Sequence, residues 1–90
     1  MNEEPLSREE ISEIKMRCAR ATAGPWKSYV EAREKISGPD FIVTAGEDLY
    51  LTGATIDDQD FIAHARQDIP RLIAEIERLR AELEEINRGQ

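Results

Sequence analysis

The sequence predicts an α+β protein: an N-terminal helix, an antiparallel sheet of about three strands, a short helix and a long C-terminal helix. Three observations support this order. A helix-start signal stands at Ser7, an alternating segment rich in β-branched and aromatic residues fills the middle, and heptad spacing marks the end of the chain. Ninety residues suit a single domain, predicted over 1–90, with a modest core.

The first helix is predicted over about residues 8–22. Ser7 and Glu10 have the spacing of a capping box, in which each side chain bonds the other residue's backbone N–H. Apolar residues then recur every three or four positions, at Ile11, Ile14, Cys18 and Ala21. Gly24 and Pro25 follow as stop signals.

The sheet is predicted over about residues 26–53. The stretches "WKSYV", "FIVTA" and "LYLTG" have strand character, and the last two are separated by a three-residue turn at residues 46–48. The segment 31–37 fits either a strand extension or a helical turn.

The C-terminal region is predicted as two helices, over about 58–67 and 69–88. Thr55 with Asp58, or Asp57 with Asp60, can cap the first. Proline inside a helix costs roughly 3 kcal/mol, whereas it is tolerated in a first turn, so Pro70 with Asp68 as N-cap predicts a break and a new start.

The last helix has the clearest periodicity in the chain. Apolar residues alternate spacings of three and four over two and a half heptads, at Ile69, Leu72, Ile76, Leu79, Leu83 and Ile86. This stripe fits either the core of the domain or a coiled coil between copies of the chain. The small core favours a homo-oligomer, a dimer or a multiple of dimers.

Composition excludes several classes of function. A formal net charge of −7 argues against a DNA-binding protein. Cys18 is the single cysteine, which excludes an internal disulfide, and no run of about 18 apolar residues is present for a membrane span. The acidic N-terminus has no apolar signal region, which predicts a cytoplasmic protein of a bacterium or of a phage-infected bacterial host.

Few residues suggest catalysis. His64 precedes Asp68 by four residues, yet no serine or cysteine nucleophile and no second histidine has a spacing that places it nearby. The acidic run at 57–60 fits helix capping better than a cation site, and its carboxylates can also accept hydrogen bonds from a base or sugar edge. We therefore expect no enzyme, no cofactor and no metal.

Arginines near aromatic residues are the best candidates for ligand binding. Arg17 and Arg20 precede Trp26, and Arg66 lies just before Pro70. Guanidinium groups beside aromatic rings suit phosphate and base recognition, although a tryptophan that begins a strand also fits a core position.

Two stretches, "RATAGPW" at Arg20–Trp26 and "DFIAHARQDIPRLIAEIERL" at Asp60–Leu79, resemble a group of short phage and prophage proteins. In that group a segment like Arg-Ala-Thr-Pro-Gly-Pro-Trp ends a helix, and a segment like Phe-Ile-Ala-His-Ala-Arg-x-Asp-Ile-Pro begins a helix pair. Ala23 stands where the pattern has proline. The group includes the phage anti-Thoeris sponges of the first described type, which bind cyclic ADP-ribose signals without cleaving them; some also hold cyclic oligonucleotides.

The resemblance implies an anti-defence protein that sequesters a cyclic ADP-ribose isomer or a cyclic dinucleotide. It implies a dimer with ligand at the subunit interface, with Arg20, Trp26, Asp60, Phe61 and Arg66 as pocket residues. The competing hypothesis is a phage adaptor or inhibitor that acts by protein–protein contact through its C-terminal heptads.

Overall fold

The computed structural model describes residues 4–35 and 37–89, and its architecture is mixed helix and strand, as predicted. The elements are, in chain order, α1 (Arg8–Arg20), β1 (Lys27–Tyr29), α2 (Glu31–Glu34), β2 (Phe41–Val43) and α3 (Ile56–Arg88). The long helix α3 is the scaffold, because both α1 and the sheet pack against it. Ile36, within the segment whose conformation the sequence left open, lies outside the described residues.

Helix α1 begins at the predicted capping box. The Ser7 hydroxyl accepts the Glu10 N–H at 3.0 Å, and the Glu10 carboxylate accepts the Ser7 N–H at 3.0 Å. The helix ends at Arg20, two residues earlier than predicted, because Ala21 is extended. It runs antiparallel to α3, since Lys15 Nζ lies 3.1 Å from Glu77 and Arg8 pairs with Glu84 further toward the end of α3.

The sheet has two antiparallel strands, with Ser28 opposite Ile42 and Tyr29 opposite Phe41. The predicted third strand is reduced to a single bridge, in which Leu49 and Ile42 exchange two backbone hydrogen bonds of 2.9 Å. The Thr44 hydroxyl closes the turn before it by bonding Gly46 N–H and Glu47 C=O. Pairing stops there because the chain turns at Gly53, with φ +80°, to reach the start of α3.

Helix α3 is continuous from Ile56 to Arg88, so the predicted break at Pro70 is wrong. Its N-cap is the Thr55–Asp58 capping box, one of the two expected starts. The side chain of Asp68 caps nothing in the described part of the chain. Both halves of α3 have their directions fixed by other elements, the first half by the sheet and the second by α1. These contacts outweigh the roughly 3 kcal/mol that an internal proline costs.

Two glutamine side chains join α3 to the chain around β1. Gln59 is buried, and its Nε2 donates to Ser28 Oγ at 2.8 Å and to the carbonyls of Tyr29 and Phe41, each at 3.2 Å. Two helical turns later, Gln67 bonds both the N–H and the C=O of Trp26. Ala63 lies between them and is buried, so the small side chain lets the sheet approach the helix closely.

The apolar core is small. Among the described residues the buried hydrophobic side chains are Ile11, Val30, Ile42, Ala63 and Ile73. The Cα radius of gyration is 17.5 Å, compared with about 12 Å for a compact domain of this length. The excess comes from α3, which extends through most of the 62 Å length of the molecule.

The buried Gln59 amide should be essential to stability. Gln59→Met keeps the volume of the side chain and removes its three hydrogen bonds, so we expect the free energy of unfolding to fall by about 1–3 kcal/mol. Urea unfolding followed by circular dichroism measures it. Glu85→Met, at an exposed position of the same helix, is the control and should change stability little. Equal effects of the two substitutions would contradict the role of the amide.

Pro70 should destabilise the helix that contains it. Pro70→Ala restores an N–H that can bond the Arg66 carbonyl and removes the ring clash, so we expect about 1–3 kcal/mol of added stability. The measurement is again urea unfolding, with the helical signal of the native state unchanged. A loss of stability would mean that packing of the proline ring matters more than the helical hydrogen bond.

Candidate ligand-binding site

The two segments that carry the predicted motifs meet in the fold. The Thr22 carbonyl, in the loop after α1, accepts hydrogen bonds from Trp26 Nε1 and from Arg66 Nε, each at 3.0 Å. The Gln67 amide, next to Arg66 on α3, accepts the Trp26 N–H at 2.7 Å and donates to its carbonyl at 3.1 Å. Residues 44 positions apart therefore form one junction, which we call the Trp26–Arg66 junction.

Gly24 allows this close approach. A Cβ at that position would lie 3.3 Å from Gln67 Oε1 and 3.5 Å from Arg66 Cγ. Trp26 and Arg66 are both half-buried. The indole N–H is engaged with Thr22, whereas the terminal nitrogens of Arg66 have no hydrogen-bond partner in the described part of the chain. Those nitrogens are donors that a bound anion can use.

Arg17 and Arg20 form a second basic group, separate from the junction. Both are exposed and lie three residues apart in the last turns of α1, where side chains at that spacing share a face. Within residues 4–35 and 37–89 neither guanidinium has an ion-pair or hydrogen-bond partner. Two free guanidinium groups on one face are suited to a diphosphate.

The Asp60 carboxylate is bonded to Arg33, a residue that the sequence did not predict as part of a site. Arg33 Nη2 donates to Asp60 Oδ1 at 2.7 Å, which holds the pKa of the Asp60 carboxyl below its ordinary range; a hydrogen bond with Ser28 adds to the effect. The same contact raises the pKa of Arg33. The pair ties α2 to α3, so the structure gives Asp60 a structural partner.

Phe61 lies apart from the junction. Six residues, about one and two-thirds helical turns, separate it from Gln67, so the two side chains leave α3 in different directions. Phe61 is 74% exposed and lines an open concavity of about 590 Å³ together with Tyr50 and the loop 51–54. Tyr50 ends an aromatic series on the sheet, in which Tyr29 stacks on Phe41 with ring centroids 5.4 Å apart.

A groove between α1 and α3 begins at Arg66. Its volume is about 470 Å³, and its lining includes the apolar residues Cys18, Pro70 and Ile73 together with the cations Lys15 of α1 and Arg66 of α3. Because Lys15 is paired with Glu77, Arg66 is the cation lining this groove whose terminal N–H groups have no partner among the described residues. The groove places an apolar surface beside those donors.

The remaining polar candidates form no catalytic arrangement among the described residues. His64 is exposed, and its Nδ1 lies 2.8 Å from the Asp60 carbonyl of its own helix. The described residues contain no group of three or more His, Cys, Asp or Glu side chains that could hold a metal ion. None of the helices in this part of the chain combines the length and apolar composition that a membrane span requires.

The sequence reading missed Thr22, Gln59 and Gln67. Thr22 acts through its backbone carbonyl, for which the sequence contains no signal. The sequence does contain a signal for the two glutamines. Gln59, Ala63 and Gln67 are four residues apart and share a face of the helix, and such a polar–small–polar row indicates a close contact.

No known family model, curated protein or solved structure matches this chain.

The Asp60–Arg33 pair predicts a pH dependence. A carboxyl whose pKa is lowered by folding adds stability above its ordinary pKa of 3.8, and that stability is lost as the pH falls through the lowered value. Asp60→Asn should therefore lower the urea midpoint at pH 7, and the difference from the native chain should shrink below about pH 3. Asp48→Asn, at an exposed loop position, is the control. A difference that does not depend on pH would contradict the ion pair.

Proposed function

We propose that this protein binds and sequesters a cyclic nucleotide-type signal, a cyclic ADP-ribose isomer or a cyclic oligonucleotide, without cleaving it. The observation that carries the proposal is the Trp26–Arg66 junction. The two stretches that resemble the phage sponges contact each other through Thr22, although 44 residues separate Thr22 from Arg66. The resemblance rests on two separate pieces of sequence, and their contact in the fold supports the proposal that they belong to one site.

The charges near the junction support an anionic ligand. The chain has a net charge of −7, yet Arg17, Arg20 and Arg66 keep guanidinium donors without protein partners in the described residues. Charge-assisted hydrogen bonds from arginine to phosphate are among the stronger polar contacts in proteins, and they offer the needed local attraction on an acidic molecule. The groove beside Arg66 supplies apolar surface for a base or ribose.

The site needs no nucleophile or general base, which suits a protein that stores its ligand. Asp60 and Phe61, the other two residues that the resemblance implies, fit less directly. Asp60 is bonded to Arg33, and Phe61 leaves another side of α3. In this proposal Phe61 joins the ligand only where two subunits meet, as the resemblance implies for a dimeric sponge.

Calorimetry with cyclic ADP-ribose isomers and cyclic dinucleotides tests the proposal. Arg20→Ala and Arg66→Ala should each weaken binding about ten- to a hundredfold, because each removes a charge-assisted hydrogen bond worth about 1.5–3 kcal/mol. Arg71→Ala, an exposed arginine on α3, is the matched control and should bind normally. Unchanged thermal unfolding of Arg20→Ala separates lost binding from lost folding. If no such ligand binds more tightly than roughly 100 µM, the proposal is wrong.

A second candidate function is a phage adaptor or inhibitor that acts through protein–protein contact. The observation that favours it is the apolar surface of α3, where Leu72, Leu79 and Leu83 are exposed. Mass spectrometry of small molecules released by heat, after incubation with a TIR-generated signal, distinguishes the two. Release of an intact nucleotide supports sequestration, and its absence favours the adaptor.

A further inference from the structure

The uninterrupted course of α3 through Pro70 lengthens its heptad pattern. With a break at Pro70 the pattern could begin only at Ile69. In one continuous helix it extends back to Ile62 and Ala65, so that the a and d positions run from 62 to 86, about three and a half heptads. The full set is Ile62, Ala65, Ile69, Leu72, Ile76, Leu79, Leu83 and Ile86. We call this row the α3 seam.

The α3 seam is largely uncovered. Leu72 is 61% exposed, Leu83 58% and Ile86 60%. The chain itself covers other sides of the helix. The chain around β1 covers Gln59, Ala63 and Gln67, and α1 with the residues before it covers Ile73, Glu77, Arg80 and Glu84. In heptad terms these are b, e and f positions, so the described elements leave the a, c, d and g positions uncovered; within residues 62–86 the apolar ones among these are the a and d positions of the seam.

We infer that the α3 seam pairs with the seam of a second copy of this chain, as a parallel two-stranded coiled coil. The residue types favour a pair of parallel helices, because β-branched isoleucine stands at the a positions 62, 69 and 76 and leucine stands at the d positions 72 and 79. Three to four heptads is also the length at which such a pattern specifies a coiled coil. A copy of the same seam supplies apolar residues at matching intervals along the whole length.

One charge pair beside the seam favours the parallel orientation. The g positions carry Asp68, Glu75 and Glu82, and Arg80 stands at an e position. In a parallel pair each g position faces the next e position of the other chain, which sets Glu75 against Arg80 of the partner subunit. In an antiparallel pair g faces g and e faces e, so carboxylates would meet carboxylates and arginine would meet arginine.

The parallel pairing also fits the rest of the fold. Arg80 is half-buried beside α1, where its Nη2 donates to the Leu6 carbonyl at 2.8 Å, so its position is already set. The sheet lies on a side of α3 away from the seam, and a second helix can approach without displacing it. Both sheets then lie at one end of the dimer. The pairing does not depend on ligand binding, and its test is separate from the calorimetry that tests the proposed function.

Analytical ultracentrifugation of the full chain tests the pairing. We expect a particle of twice the 10.2 kDa chain mass at about 100 µM. Leu79→Lys places a charge in the seam and should weaken dimerisation about a hundredfold or more. Met16→Lys adds the same charge at an exposed apolar position of α1 and should leave the dimer intact. A 10.2 kDa particle for the native chain overturns the inference, as does equal dissociation of both variants.

Disulfide formation tests the orientation. In a Cys18→Ala background, Ile86→Cys should form a disulfide between two chains under mild oxidation, because identical d positions are adjacent in a parallel pair. In an antiparallel pair that overlaps the whole seam, residue 86 of one chain lies opposite residue 62 of the other, so the two Ile86→Cys thiols are about 36 Å apart. Crosslinking of Ile62→Cys with Ile86→Cys chains, without self-linking of Ile86→Cys, overturns the parallel arrangement.

Discussion

The arrangement of this protein depends on one close contact, the row of Gln59, Ala63 and Gln67 against the chain around β1. Two strands and a bridge are too few to form a stable sheet alone, and a helix with polar residues on this face would normally turn them to water. Here the amides replace water by bonding the backbone of Trp26, Tyr29 and Phe41. Buried amides of this kind lose several hydrogen bonds if the helix shifts, so they fix its register on the sheet.

That register has consequences along the whole of α3. Once its first half is fixed on the sheet and its second half on α1, a bend at Pro70 would pull one of the two contacts apart. The helix therefore keeps its course, and the apolar residues on both sides of the proline fall on one line. Continuity of α3 is thus a tertiary effect, and the proposed pairing of two chains depends on it, since a helix broken at Pro70 would present too few heptads to specify a partner.

Several arginines near one loop form no ion pair within the described residues. Elsewhere some carboxylates on exposed helix faces pair with arginine, as Glu75 and Glu82 do with Arg78. Arg17, Arg20 and Arg66 lie near the loop between α1 and β1 without such partners in the described chain. On a protein with net negative charge, unpaired arginines indicate a local preference for anions.

The sequence by itself determined the helix starts, the α+β class and the heptad period, because caps and apolar spacing act between residues that are close along the chain. Ser7 with Glu10 and Thr55 with Asp58 form the expected boxes. Tertiary structure decided what local rules could not. It reduced the third strand to one bridge, kept α3 helical through Pro70 and brought the side chains of Trp26 and Arg66 to the same Thr22 carbonyl. The physical reason is the same in each case: contacts between distant residues outweighed a local preference of a few kcal/mol.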